Sequence, residues 1–354
     1  MAKTTVDLAS GLSCPIPITD YKQVLLAHGG GGTLTHRLIQ SMFASQFSND
    51  LLNPLHDGAM FSINGSRIAF STDSYVINPI FFPGGSIGDL AVNGTVNDLA
   101  MCGARPLYLS AGFIIEEGFE MEELWRVVLA MQKAAREAGV QLVTGDTKVV
   151  DRGKGDKIFI NTSGIGVVDP GINIDPRLAV PGDAVILSGS IADHGIAVMS
   201  VREGLEFETE IKSDTRPLNG LVASMLEVCR DIHVLRDPTR GGIASALNEI
   251  AESAHAGIFI NEDAIPLTEE VSGACEILGL DPLYVANEGK LLAFVPGPAV
   301  ENVLAAVKSH QAGKESVVIG QVVDDHPGMV VMKSRIGGMR VVDMLSGEQL
   351  PRIC

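Results

Sequence analysis

The constraint that weighs most on this chain is the order in which strand-like and helix-like segments alternate, stop at a turn-rich stretch and start again. Arg67 to Ile77 (RIAFSTDSYVI), Pro106 to Ile115 and Lys157 to Val168 read as strands, and a short VQLV strand ends in Thr144 to Lys148, TGDTK. Between them, Ser86 to Gly103 reads as a helix opened by an S-x-x-D capping box. Glu120 to Ala138 carries Leu124, Val127, Val128, Met131 and Ala135 at helical spacing, with Gly139 as C-cap. Pro170 to Gly182 has turn chemistry and little periodicity, which marks a domain boundary. The alternation then resumes with a strand at Ala184 to Ser188, a helix after Asp193 and a strand into Leu235. A helix from about Thr239 to His255, capped by Gly257, follows, then Val317 to Val323 and a hairpin around Arg335 to Gly338. The fold class expected is α/β with mixed sheets in two domains, residues 21–170 and 171–345. A mobile extension (1–20) and a flexible tail (346–354) flank them.

Hydrophobic residues at 46% and charged residues at 19% over 354 positions are enough to bury two cores. A formal net charge of −17 without a basic block excludes a counterion-releasing grip on nucleic acid or an anionic membrane. It also means that a bound polyphosphate needs a divalent cation, with magnesium the expected one. Five cysteines without C-x-x-C spacing indicate neither a disulfide framework nor a zinc site, and fit the reducing cytoplasm. No apolar run reaches the roughly 18 residues of a membrane span.

Several residues could carry chemistry. Gly29, Gly30, Gly31 and Gly32 form a loop that is either merely flexible or a cradle of backbone N–H groups for phosphate. Asp73 and Asp146 are read at strand ends and Asp98 in a helix, so each is a cap or a ligand that holds magnesium against a triphosphate. In RDPTRGG, Asp237 is an N-cap or another ligand at a loop entering a helix, where N–H groups would face an anion. Lys148 and Glu288 are surface ion-pair partners or, if burial shifts them, proton-transfer groups. Cys354, on a tail that could extend roughly 35 Å, is an incidental end or an exposed, part-ionised carrier thiol.

Taken together, LAHGGGG, AFSTDSYVI, FFPGGSIGDLAVNGTVNDLAM, LVTGDTKVV, FINTSGIG, DHG, RDPTRGG, ANEGKL and the final PRIC resemble the HypE family of hydrogenase-maturation carbamoyl dehydratases. That family lies in the superfamily of aminoimidazole ribonucleotide synthetase and selenophosphate synthetase. The resemblance covers about residue 25 to 354. It implies a homodimer joined through the N-terminal sheets and a domain 21–170 that binds ATP. Magnesium would sit at Asp73, Asp98, Asp146 and Asp237, and the nucleotide would touch Gly29 to Gly32, Asn97, Thr147, Thr239, Gly241 and Gly242. It further implies that a carbamoyltransferase, HypF, loads the thiol of Cys354, that the thiocarbamate is dehydrated to thiocyanate with Lys148 and Glu288 handling protons, and that the nitrile passes to HypC and HypD. Two rivals remain at this level: a selenophosphate synthetase-like enzyme acting on a small molecule, and a non-catalytic scaffold using the tail as a docking peptide. Residues 1–20, with Cys14, lie outside the pattern.

Overall fold

The computed structural model describes residues 21–205, 210–347 and 352–354. After a 3-10 turn at Leu26–Gly29, the chain forms a short helix α1 (Thr33–Leu38), a π-helical stretch Ile39–Ala44 and α2 (Ser45–Phe47). The first sheet follows, built from β1 (Ala59–Ile63), β2 (Ser66–Tyr75), β5 (Ala104–Glu116), β6 (Gln141–Val150) and β7 (Ile158–Val168) in the order β1-β2-β7-β5-β6. Strands β3 (Phe81–Phe82) and β4 (Gly85–Ser86) make a separate two-stranded ribbon. Only the β5–β6 pair of the five-stranded sheet is parallel, and the helix that crosses between them is α4 (Met121–Ala138).

Helix α3 (Ile87–Met101) is buried on nearly every side, including its Asn93, Thr95 and Asn97. It packs on β2 and β7 and is covered by α4 and by a helix of the second half, which explains a sequence apolar all round with small residues interspersed. Ser86 caps it, accepting from Gly88 N and donating to Asp89 Oδ2 at 2.7 Å. Gly139 ends α4 in the left-handed region, φ 72°.

The second sheet has seven strands in the order β14-β13-β10-β12-β8-β11-β9. They are β8 (Asp183–Leu187), β9 (Val234–Arg236), β10 (Gly257–Asn261), β11 (Leu292–Pro296), β12 (Val317–Val323), β13 (Val330–Lys333) and β14 (Met339–Val341). Around it lie α5 (Asp193–Glu203), α6 (Asn219–Val228), α7 (Gly242–Ala254), α8 (Glu269–Leu278) and α9 (Val300–Ser309). Central strand β11 is buried on both faces. Leu292 and Phe294 join one core cluster with α7, whereas Ala293 and Val295 join another with α6 and α9. This two-sided burial is why LLAFV reads as a continuous apolar run, each large side chain contributing about 1.5–3 kcal/mol.

Three sequence expectations change. TGDTK does not end its strand: β6 continues to Val150, so Asp146 sits mid-strand, in register with Gly112. The helix expected from Thr239 begins at Gly242, because Gly241 and Gly242 both take positive φ (79° and 61°) and delay it. Its C-cap is His255 at φ 52°, whereas Gly257 already belongs to β10.

The flexible tail is corrected in part. Residues 348–351 of it lie outside the described residues, as do residues 1–20, but 352–354 are docked. Ile353 is 3% exposed and packs into the core cluster of the first half with Ile77, Ile80 and Phe82.

Candidate active site

Three carboxylates from three elements converge where the two halves meet. Asp57 precedes β1, Asp98 lies in the last turns of α3, and Asp237 follows β9, with one oxygen of each within 4.8 Å of the others. Ser71 Oγ ties two of them together, 2.6 Å from Asp98 Oδ2 and 2.9 Å from the Asp57 carbonyl. Among the described residues, Arg236 is the close permanent cation, with Nη1 2.7 Å from Asp57 Oδ1 and its other arm on Glu249. Burial tends to raise Asp57, but Arg236 and His56 outweigh it and hold this carboxyl low. Asp98 is pushed well above the carboxylate range by burial and by Asp237, Asp73 and Asp57. Asp237 is raised to about 7 by burial and Asp57, against the pull of Arg236. One guanidinium for three buried acids leaves a deficit of positive charge, and Asp57 Oδ2 has no hydrogen-bond partner. An all-oxygen donor set of this kind fits a hard divalent cation such as magnesium.

Of the aspartates the sequence singled out, Asp98 and Asp237 are thus brought together with Asp57, which sequence reasoning missed. Asp73 is a neighbour: it is raised by burial, with Arg240 opposing, and it contributes to the shifts of both Asp98 and Asp237. Asp146 is not in the cluster of its own chain. It lies exposed on β6, paired with Lys148 Nζ at 2.5 Å, and Thr147 lies beside it on the same exposed strand.

Close to the carboxylates sits the end of the chain. Val76 N donates to the Cys354 carbonyl at 3.0 Å, prolonging the line of β2. Arg202 Nη2 donates to the Arg352 carbonyl at 2.8 Å, and Arg352 Nη1 meets Asp156 Oδ2 at 2.5 Å. Burial pushes the Cys354 thiol far up, and Glu288 and Asp73 add to this while Arg240 opposes it. The exposed, part-ionised thiol expected from the sequence is therefore replaced by a half-buried one whose ionisation burial disfavours. Glu288 is 4% exposed, and its Oε1 has no hydrogen-bond partner. Its backbone N–H donates to Asp214 Oδ1 at 3.0 Å. Burial first, then Asp237, Asp214 and Asp73, raise its carboxyl well above the usual range, so it can hold a proton near neutral pH.

The expected nucleotide contacts divide. Gly31, at φ 76°, lies against Arg240, whose Cβ and carbonyl are 2.7 Å from where a side chain would begin, and Gly32 lies equally close to the Leu345 carbonyl. These two glycines let the loop dock on RDPTRGG and on the segment before the tail, and Arg240 Nη1 donates to the Gly29 carbonyl at 2.9 Å. Gly29 and Gly30 have no tight neighbour and stay open to a ligand. Asn97 accepts from Leu218 N at 2.8 Å and donates to the Arg216 carbonyl at 3.2 Å, clamping α3 to the second half. Gly241 and Gly242 shape the entry to α7 against Ser245 and Leu283, and Thr239 N turns back to the Asp237 carbonyl at 3.0 Å. Arg240 was the overlooked member of RDPTRGG. Its guanidinium faces Cys354, Asp73 and Glu288, and their negative charge, where they ionise, favours its own.

A broad cavity of about 740 Å³ opens beside the carboxylates, lined by His36, Leu52, His56, Phe61, Arg236 and Glu249 among others. That is ample for a nucleotide-sized ligand.

Comparisons with known proteins agree with this geometry. Residues 55–168 match the family of AIR synthase related proteins, N-terminal domain, and residues 180–333 match the corresponding C-terminal domain. The chain is 54% identical over 331 residues to the carbamoyl dehydratase HypE of Azotobacter vinelandii, covering 94% of this chain and 97% of that one. It is similar to the crystal structure of a hydrogenase maturation protein HypE in complex with ATP (TM-score 0.80, 50% identity, 94% of this chain and 100% of that one). It is also similar to the HypE-HypF complex structure (TM-score 0.83, 49% identity, 87% of this chain and 99% of that one). Matched along nearly its whole length in sequence and in three dimensions, the chain belongs to the HypE carbamoyl dehydratases, a family of AIR synthase related proteins.

Proposed function

We propose that this protein is an ATP-dependent carbamoyl dehydratase that turns a thiocarbamate on Cys354 into a thiocyanate, the source of cyanide ligands for the iron of [NiFe]-hydrogenase. The observation that carries the reading is the seat of Cys354, a half-buried thiol whose ionisation burial disfavours, near Glu288, Arg240 and Asp73 and next to a magnesium-type carboxylate cluster. A scaffold that used its tail only as a docking peptide would have no need of that seat.

The balance of the reaction is simple. The S-carbamoyl group, R–S–C(=O)–NH2, gives up its oxygen and two protons to become R–S–C≡N, and the oxygen leaves as part of inorganic phosphate while ATP becomes ADP. Bound ATP would supply the phosphoryl group that makes the amide oxygen a leaving group, and Asp57, Asp98 and Asp237, with Asp73 beside them, would hold the magnesium that offsets the charge of its phosphates. The ionised form of Glu288 accepts the proton from the amide nitrogen, because a carboxylate whose pKa is raised is a stronger base than one in water once it has released its own proton. Arg240 sits where negative charge on the cargo is best matched.

Lys148 and Asp146 enter through a second copy of the chain. What supports a homodimer is the outer face of the first sheet, where Phe70, Ile165 and Tyr108 lie in register across three strands and remain substantially exposed, with Ile114 and Lys148 paired further along. Within the two-domain subunit proposed, 21–170 carries this face and most of the ATP site, and 171–345 closes it. The partners in the reading are HypF, which loads Cys354, and the HypC and HypD complex, which receives the nitrile. The unpaired cysteines fit a cytoplasmic setting, and no helix among the described residues is long and apolar enough to cross a membrane. Mass analysis of the C-terminal peptide tests the proposal. Incubation with carbamoyl phosphate, ATP and the transferase should add one carbamoyl group and then remove one water, and a carbamoylated peptide that never loses water would overturn it.

A further inference from the structure

The DHG motif at the start of α5 has no part in the chemistry above, yet its histidine is completely buried at the end of the tail. The ring of His194 has 0% exposure and stands edge-on to Phe82, with centroids 5.4 Å apart. Its Nε2 is 2.8 Å from the Ile353 carbonyl, and its Nδ1 is 2.8 Å from Ser213 Oγ. A carbonyl oxygen only accepts, so Nε2 must carry the hydrogen. The neutral ring then has a lone pair at Nδ1, which the Ser213 hydroxyl fills. Ser213 Oγ in turn accepts from Thr215 N at 3.1 Å, so the chain of donors runs in one direction, from Thr215 through Ser213 and His194 to the tail. Burial favours the neutral ring and outweighs the opposing pull of Asp214.

We propose that His194 is a positioning residue: by holding the Ile353 carbonyl it fixes Cys354 beside Glu288, and this bond must break for the thiol to leave the cleft and be loaded. The other side-chain ties to the tail are wetter. Arg352 and Asp156 form an ion pair with both partners more than a third exposed, which contributes little. Among the described side chains that touch residues 352–354, His194 offers the fully buried donor, and when the tail departs that donor loses its partner, a cost that draws the tail back. The second clause of the proposal rests on the function given above, whereas the first concerns docking alone.

The test uses the full-length protein and iodoacetamide, with alkylation of Cys354 followed by the mass of its C-terminal peptide. His194→Ala should be alkylated about three- to tenfold faster than the parent, the population change that loss of one hydrogen bond gives. His194→Gln, whose amide can donate to the same carbonyl, should return the rate toward the parent value. Equal rates in the parent and His194→Ala, or a His194→Gln variant as fast as His194→Ala, overturn the proposal. If melting curves show that the alanine variant is unfolded, the imidazole nitrogen signals of the parent decide. Deleting residues 352–354 should shift the His194 Nε2–H resonance, and an unmoved resonance overturns the assignment. Dehydration of carbamoylated protein should also slow in His194→Ala. Should the parent itself fail to dehydrate its cargo, the proposed function falls, and the alkylation rates still judge the latch.

Discussion

Glu288 is a carboxyl group kept where water would not leave it neutral, and that has a cost in stability which can be measured. Its folded pKa lies well above the ordinary value because burial and three neighbouring acids disfavour the charge. The folded state therefore holds a proton that the unfolded chain releases at about pH 4.3. Stability from this group is complete below that pH and is lost as pH rises towards the folded pKa. Glu288→Gln keeps the shape and removes the charge, so its melting temperature should match the parent near pH 4 and exceed it increasingly as pH rises. The same variant should lose dehydration by about 10²- to 10⁴-fold while still being carbamoylated. A parent-like dehydration rate, or a melting difference independent of pH, would remove Glu288 from this role. Glu288 and Cys354 were legible from NEGK and PRIC as candidates, yet the sequence could not say that the first is buried and the second half-buried beside it. Asp57 and Arg240 were not legible, because HDGA reads as a plain turn before a strand and Arg240 stands in a motif noticed for its aspartate and glycines.

Asp57, Asp98 and Asp237 show how elements far apart in sequence build one site. A strand approach, the end of a buried helix and a loop after an edge strand each deliver one carboxylate, and helix α3 is held in place by the Asn97 clamp to residues 216–218. Magnesium binding requires these groups to be ionised, and Asp237, at about 7, must release a proton that it holds below neutrality. Calorimetric titration should show affinity for Mg2+ with ATP falling as pH drops from 8 to 6, and Asp57→Asn should weaken it at least ~10-fold at either pH. An Asp57→Asn variant with parent affinity would exclude that residue from the metal site. Strand and helix existence was readable from periodicity in both halves, but the end of β6 and both ends of α7 were not. Gly145 and the alternating polar residues of TGDTK look like a strand end, yet Gly145 is there because the Ala111 carbonyl of β5 leaves no room for a side chain. Gly257 resembles a helix cap, yet it is glycine because the Asp325 carbonyl packs against it.

At the scale of the whole molecule, one placement decides between two architectures for the site. Lys148 and Asp146 lie exposed on β6, while Glu288 lies buried and Cys354 half-buried between the halves, and β5 and β7 separate β6 from β2 and its Asp73. The apolar outer face of the same sheet is where the proposed second copy would sit, and a twofold interface there would present each β6 to the partner's tail. The consequence is a complementation experiment. Lys148→Ala and Glu288→Gln should each be inactive alone. When equal amounts are unfolded together and refolded, half of the dimers are mixed, and one of the two sites in each mixed dimer combines an intact Glu288 with an intact Lys148 from the other subunit. The refolded mixture should recover about a quarter of the parent's dehydration activity. If Lys148 instead served the cleft of its own chain, every site in every dimer would lack one of the two groups and the mixture would stay dead. Replacing Tyr108 with glutamate, which puts a charge at the centre of the apolar face, should abolish the recovery by keeping the subunits apart, even though neither Glu288 nor Lys148 is altered by it.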